Sequence, residues 1–128
     1  MNDDVHKKLL GAKGENLACE FLTGMGHVIL ERNWRYGHLE IDIISADRYG
    51  THFVEVKTRQ QHIQAPPQDS VNIAKQRRIV AAAKSYLRTS KRIPSYADEY
   101  FFDVVAITVK NGENAIEWFP QAFIPLFM

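Results

Sequence analysis

Two runs, Leu39-Glu40-Ile41-Asp42-Ile43-Ile44 and Phe53-Val54-Glu55-Val56-Lys57-Thr58, decide how this chain folds. Each places charged residues between β-branched or aromatic ones, the alternation of a half-buried strand. Side chains on a strand alternate between faces, so Glu40 and Asp42 are expected on one face and Ile41 and Ile43 on the other. Glu55 and Lys57 likewise share a face, opposite Val54 and Val56. Between the runs, Asp47-Arg48-Tyr49-Gly50 reads as a hairpin turn. A turn centred on Arg48 and Tyr49 sets Asp42 opposite Glu55 and Glu40 opposite Lys57. Two carboxylates facing each other across a ladder repel unless a cation lies between them. The grouping suits a divalent metal and a phosphodiester. A register slip of one residue would destroy it.

Outward from this centre, residues 7–25 read as a first helix, with Leu10, Leu17, Ala18, Phe21, Leu22 and Met25 at helical spacing. Gly11 and Gly14 lie in that stripe, where small residues let a helix approach a sheet closely. Glu15 lies at its margin; Lys13, Asn16 and Glu20 are expected to face water. Residues 27–35 give a first strand around Val28, Ile29 and Leu30. A polar stretch at 60–69, with Pro66-Pro67, reads as a loop able to touch a ligand. Ser70 is the expected cap of a second helix over 71–89. The apolar face of that helix, Ile79, Ala83, Tyr86 and Leu87, continues toward the N-terminus as Asn72, Lys75 and Gln76. Such a polar end to an inward stripe fits either a helix passing from core to cleft or one emerging into solvent. Arg77, Arg78 and Lys84 fall outward. After a connector at 91–99, residues 100–110 form a strong strand. Asn111-Gly112 is a type I′ turn signal leading into a strand over 115–119. The apolar tail, 123–128, either packs back on the domain or meets another subunit. The order αβββαβ with a final strand makes an α/β fold with a central mixed sheet flanked by helices, in a single domain spanning 1–128.

Composition narrows the function. Hydrophobic residues make up 45% and charged residues 24%, as in soluble globular proteins, and no apolar run is long enough to span a bilayer. The acidic start, Met1 to Asp4, is followed by no apolar h-region, and Cys19 is the only cysteine. One cysteine excludes an internal disulfide and a cysteine-based zinc site, and these features favour the cytoplasm. The formal net charge of +1 hides an uneven distribution, because residues 57–92 hold nine Lys or Arg and one acid, Asp69. A basic third of the chain beside a carboxylate cluster suits a polyanion; the plainer reading is a solvated helix face. Histidines 6, 27, 38, 52 and 62 show no paired metal spacing and read as surface or strand residues, with His38 nearest the cluster. Trp34, Tyr36 and Tyr49 can stack on bases, though core or interface packing is the commoner use.

Asp42, twelve intervening residues and then Glu55-Val56-Lys57 resembles the PD-(D/E)xK nuclease signature. Gly11-Ala12-Lys13-Gly14-Glu15-Asn16-Leu17-Ala18, Arg32-Asn33-Trp34-Arg35, Glu40-Ile41-Asp42-Ile43-Ile44 and Phe53-Val54-Glu55-Val56-Lys57-Thr58-Arg59 together resemble the YraN family of uncharacterised, endonuclease-like proteins. The resemblance extends over roughly residues 7–110. It implies a restriction-endonuclease-like core, similar to archaeal Holliday junction resolvases. It implies a metal-dependent endonuclease acting on DNA, including branched or structured DNA, as a possible homodimer, with no membrane partner. Its catalytic set is Glu15, Asp42, Glu55 and Lys57. Mg²⁺ or Mn²⁺ is expected at Asp42, Glu55 and the Val56 carbonyl, and Lys75, Gln76 and Arg59 are the expected contacts to nucleic acid. The alternative is a nucleic-acid-binding or assembly module on the same scaffold without turnover. Two positions depart from the family pattern. Leu39 replaces a glycine before Glu40, and Phe101 replaces an arginine, which removes a positive charge that could pair with Asp103.

Overall fold

A computed structural model describes residues 3–60, 71–92 and 99–123, with side chains for residues 9–59 of the first stretch. The elements run α1 (Asp3–Gly24), β1 (Val28–Tyr36), β2 (Leu39–Ala46), β3 (Thr51–Gln60), α2 (Ile73–Thr89), β4 (Tyr100–Lys110) and β5 (Glu113–Phe119). The five strands form one sheet in the order β1-β2-β3-β4-β5. Only β3 and β4 pair in parallel, the connection that needs a crossover and receives α2. This is the αβββαβ order of a restriction-endonuclease-like core, with helices on a mixed sheet. Among the described residues no helix is long and apolar enough to cross a membrane. The expected ligand-touching loop, the Ser70 cap, most of the 91–99 connector and nearly all of the apolar tail lie outside the described residues.

The sheet buries both faces. Under α2, Ile44 and Phe53 pack with Ile79, Val80, Ala83 and Tyr86, joined by Phe102 and Val104. Under α1, Ile43, Val54, Val105 and Ile107 pack with Ala18 and Leu22. Alternation along β3 therefore puts Phe53, Glu55, Lys57 and Arg59 toward α2, and Val54 and Val56 toward α1. Trp34 lies edge-on to Tyr86 at 5.2 Å, which makes it a packing residue rather than a free stacking platform. Asn111 (φ 50°) and Gly112 (φ 80°) form the β4–β5 turn, and β5 begins two residues earlier than the apolar pattern indicates. Helix α2 starts at Ile73, capped by Asn72, whose side chain accepts from the Lys75 amide at 2.9 Å. Asn72 thus serves as the cap, where Ser70 was expected, and not as part of the inward stripe.

One expectation fails instructively. Ile43 joins the cluster under α1, but Ile41 joins the one under α2. Strand β2 breaks its alternation at Asp42. The regular β2–β3 ladder ends at Ile43–Val54, and the β1 residue across from Asp42, Asn33, has a left-handed backbone (φ 51°). Released from the ladder on both sides, β2 twists, and Ile41 turns to the other core.

The glycines of α1 separate cleanly. A Cβ on Gly14 would collide with the Thr58 side chain of β3, whereas one on Gly11 would meet nothing. Gly14→Ala should therefore cost ~1–3 kcal/mol by lifting α1 from the sheet. Gly11→Ala should be neutral or stabilise by up to ~1 kcal/mol through helix propensity. Urea unfolding of both variants checks this, and equal effects would remove the close approach.

Candidate metal and phosphate cleft

Where β2 leaves β3, the Asp42 carboxylate takes over the ladder. Its Oδ2 accepts the Val56 backbone N–H at 2.8 Å. The ladder stops at Ile43–Val54, one step short of Asp42, but the Asp42 and Glu55 carboxylates remain close enough to interact directly. Glu55 is 7% exposed and faces α2. Lys75, from the first turn of α2, reaches Glu55 Oε1 at 2.5 Å, and Lys57 Nζ lies 3.8 Å from the same atom. Asp42, Glu55 and Lys75 line a cleft of about 230 Å³ together with His38, Leu39, Glu40, Arg78 and Ile79, and Lys57 stands beside it through Glu55.

The electrostatics follow from crowding two carboxylates in a partly dry site. Burial, and then the charge of Glu55, push the Asp42 carboxyl up to about 8, against the pull of the Val56 amide. Glu15 adds a smaller upward push, which places its charge near Asp42 from the α1 side. Burial pushes the Lys57 ammonium down from its ordinary value, and neighbouring Lys75 pushes it further, while Glu55 and Asp42 resist. For Lys75 burial works downward, but the hydrogen bond and charge of Glu55 outweigh it and raise the group. Glu55 thus already holds a cation, an ammonium in contact with an oxygen that a metal could use.

The remaining expected site residues are spread around this centre. Glu15 accepts from Asn33 Nδ2 at 3.0 Å, so the left-handed residue of β1 also holds the α1 carboxylate. Asn16 accepts from Arg32 at 2.6 Å, and the Arg-Asn-Trp-Arg block is thereby a clamp between β1 and α1 with Trp34 in the core. Arg59 lies beyond Lys57 on the same face of β3. Gln76 donates to the Val71 carbonyl at 2.9 Å, a local bond, and is not among the cleft-lining residues. Val56 enters through its amide. Glu40 is 3.6 Å from Arg35, so its ionic partner is on β1 and not Lys57.

One cleft residue escaped the sequence reading, and a second was placed by it only as the histidine nearest the cluster. Arg78 was assigned to the outer face, yet it lines the cleft. Its spacing of three from Lys75 was the available signal, since such pairs share a helix face. His38 lies in the β1–β2 turn, and only the fold brings it to the cleft wall.

The histidine reading holds for His52, which lies in strand β3, but not for His27, which is buried outside any strand. His27 and His52 are each 4% exposed, and their rings meet tilted at 54° with centroids 4.5 Å apart. Asp47, from the β2–β3 turn, lies 3.6 Å from His27 Nε2 and 3.0 Å from His52 Nε2. His52 Nδ1 meets Asp103 Oδ2 at 2.6 Å, and Phe101 stacks on the His52 ring at 4.6 Å. Asp103, 1% exposed, is therefore a buried partner of His52, which supplies the interaction an arginine at position 101 would have offered. Sequence separation hid this group, because its members come from the residue before β1, the β2–β3 turn, β3 and β4.

Known proteins resemble the chain over nearly its whole length. The description "Uncharacterised protein family UPF0102" matches residues 14–107. A UPF0102 protein of Bacteroides thetaiotaomicron is 37% identical over 117 residues, covering 91% of this chain and 93% of the relative. One from Geobacter metallireducens is 42% identical over 119 residues, covering 93% and 95%. One from Chlorobium limicola is 40% identical over 129 residues, covering 96% of each.

The raised Asp42 carboxyl sets a pH dependence of stability. A folded-state value above the ordinary 3.8 contributes stability that is complete below about pH 4 and lost as the pH rises through about 8. Asp42→Asn, which keeps an acceptor for the Val56 amide, should therefore raise Tm more at pH 8.5 than at pH 5 in chelated buffer. A Tm difference independent of pH would mean that the two carboxylates do not repel.

Proposed function

We propose that this chain, which belongs to the uncharacterised protein family UPF0102, is a metal-dependent endonuclease that hydrolyses DNA phosphodiester bonds, including those of branched or structured DNA. The supporting observation is the pairing of half-buried Asp42 with buried Glu55 in one open cleft, with Lys75 lining it and Lys57 3.8 Å from Glu55.

The donor set fits a hard divalent ion. Asp42, Glu55 and the Val56 carbonyl offer oxygen ligands, the preference of Mg²⁺, and the strained ionisation of Asp42 would be relieved by a positive charge. Bound there, Mg²⁺ or Mn²⁺ supplies charge neutralisation for a phosphate and acidifies a water. The chain's own groups do the rest. Lys57, with its ammonium pushed down, can hold and deprotonate an attacking water or neutralise charge developing on phosphate. Glu15 supports Asp42 from α1, held there by Asn33. With a cation at Glu55, Lys75 would be free to meet the phosphate backbone, beside Arg78 in the same cleft and with Arg59 farther along β3. Gln76 is one helical position from Lys75 and reaches nucleic acid only if its bond to Val71 opens. A homodimer would present two clefts to a symmetric junction. The lone cysteine, Cys19, accords with a reducing, cytoplasmic setting.

The Lys75–Glu55 contact also favours a second reading, a nucleic-acid-binding module whose carboxylate is permanently neutralised by its own lysine. Cleavage assays on linear, flapped and four-way DNA with Mg²⁺ and Mn²⁺ separate the two. The nuclease reading expects cleavage that falls by roughly 10²-fold or more in folded Asp42→Asn, Glu55→Ala and Lys57→Ala proteins. Strongly salt-dependent binding without cleavage by the wild type would establish the second reading instead.

A further inference from the structure

The His27–Asp47–His52 group carries an inference independent of the cleft. It lies at the closed end of the β2–β3 hairpin, and His52, on the α1-facing side of β3, is three residues from Glu55 on the opposite face. Both imidazoles are held from behind. Ser45 Oγ is 2.8 Å from His27 Nδ1, and Asp103 Oδ2 is 2.6 Å from His52 Nδ1. Asp103 is itself fixed by the Gln121 amide at 3.0 Å and Trp118 Nε1 at 3.4 Å. With each Nδ1 engaged, both Nε2 atoms turn toward the Asp47 carboxylate. Asp47 is in turn set by its turn, accepting the Tyr49 and Gly50 amides at 2.9 and 3.2 Å.

The three donor atoms lie within 4.8 Å of one another. His52 Nε2 is buried and approaches Asp47 Oδ1 to 3.0 Å without the alignment of a hydrogen bond. An imidazole whose Nδ1–H is donated to a carboxylate or hydroxyl, and whose Nε2 lone pair meets a second imidazole and a carboxylate, is the arrangement by which proteins present histidine to a transition metal. We propose that His27 Nε2, His52 Nε2 and an Asp47 oxygen form a binding site for a zinc-class divalent ion, distinct from the oxygen-only cleft.

Two neutral imidazoles and one carboxylate suit Zn²⁺, which takes nitrogen and carboxylate oxygen at about 2.0–2.2 Å and leaves a fourth position open in a three-ligand site. Mg²⁺ prefers oxygen and would not compete here. Such an ion would tie the start of β1, the β2–β3 turn and, through Asp103, β4, so its role is to brace the sheet at the end away from the cleft. The competing occupant is a proton: an imidazolium at His52 between Asp47 and Asp103. In line with that competition, burial works against protonated His52, but the hydrogen bond and charge of Asp103, and then Asp47, overcome it and raise the group.

The test uses the full chain, with Zn²⁺ and Co²⁺ as probes. Calorimetry should give one Zn²⁺ per chain in wild type and equally in an Asp42→Asn/Glu55→Gln protein. Affinity should fall at least tenfold in Asp47→Asn, whose amide keeps the turn bonds, and be lost in His52→Gln. Co²⁺ should give the visible absorption of a four-coordinate N/O site. Imidazole ¹⁵N shifts of the wild type read the site without substitution, and should show His27 and His52 ligated through Nε2 on adding Zn²⁺. Absence of stoichiometric binding, binding that follows Asp42 and Glu55, or a His52 ring still doubly protonated with Zn²⁺ present would each overturn the proposal.

Discussion

A single hydrogen bond organises the cleft: the Val56 amide donating to the Asp42 carboxylate. At that point a regular hairpin would pair backbone with backbone, but β2 parts from β3 and the side chain substitutes for the missing carbonyl. The consequence is geometric and electrostatic together. The carboxylate is held where the strand would have been, so it cannot swing away from Glu55, and it is buried deeply enough that its charge is costly. A buried polar group with one good bond and one bad neighbour is a state that natural proteins tolerate chiefly at functional sites.

Everything else in the cleft compensates for that state. Helix α2 lies on β2 with its N-terminal turn over the carboxylates, and Asn72 fixes where that turn begins. Lys75 then brings a cation to Glu55. On the other face, Gly14 lets α1 press against β3, and Asn33 leaves the strand conformation to hold Glu15. The apolar clusters on both sides of the sheet supply the stability that such a charged opening consumes. At the far end of the hairpin a second polar group, His27, Asp47, His52 and Asp103, is buried and almost wholly internally bonded. The sheet thus carries polar chemistry on either side of the apolar Ile43, Ile44, Phe53 and Val54 pairs of the β2–β3 ladder.

Local pattern carried much of this to the surface of the sequence. The Asp47–Gly50 turn gave the hairpin register, because turn length and alternation act together over a short span. The bounds of β4 and the Asn111-Gly112 turn were legible for the same reason. Ile41 was misplaced because the twist at Asp42 depends on a neighbour in β1, and no periodicity along β2 alone records it. Arg78 was misplaced by treating a long flexible cation as following its Cα direction, when its chain can bend toward a cleft edge. His27 and His52 looked like isolated polar residues. Their burial depends on pairing between segments far apart in sequence, where each Nδ1 finds its partner only in the folded sheet.

The proposed nuclease chemistry requires one cation shared by residues 42 and 55. Anomalous scattering from crystals grown with Mn²⁺ measures this most directly. A peak bridging the carboxylates of Asp42 and Glu55, with the Lys75 ammonium displaced from Glu55, is the predicted result. A saturating Mn²⁺ soak that leaves Lys75 on Glu55 and no peak between the two carboxylates would contradict it.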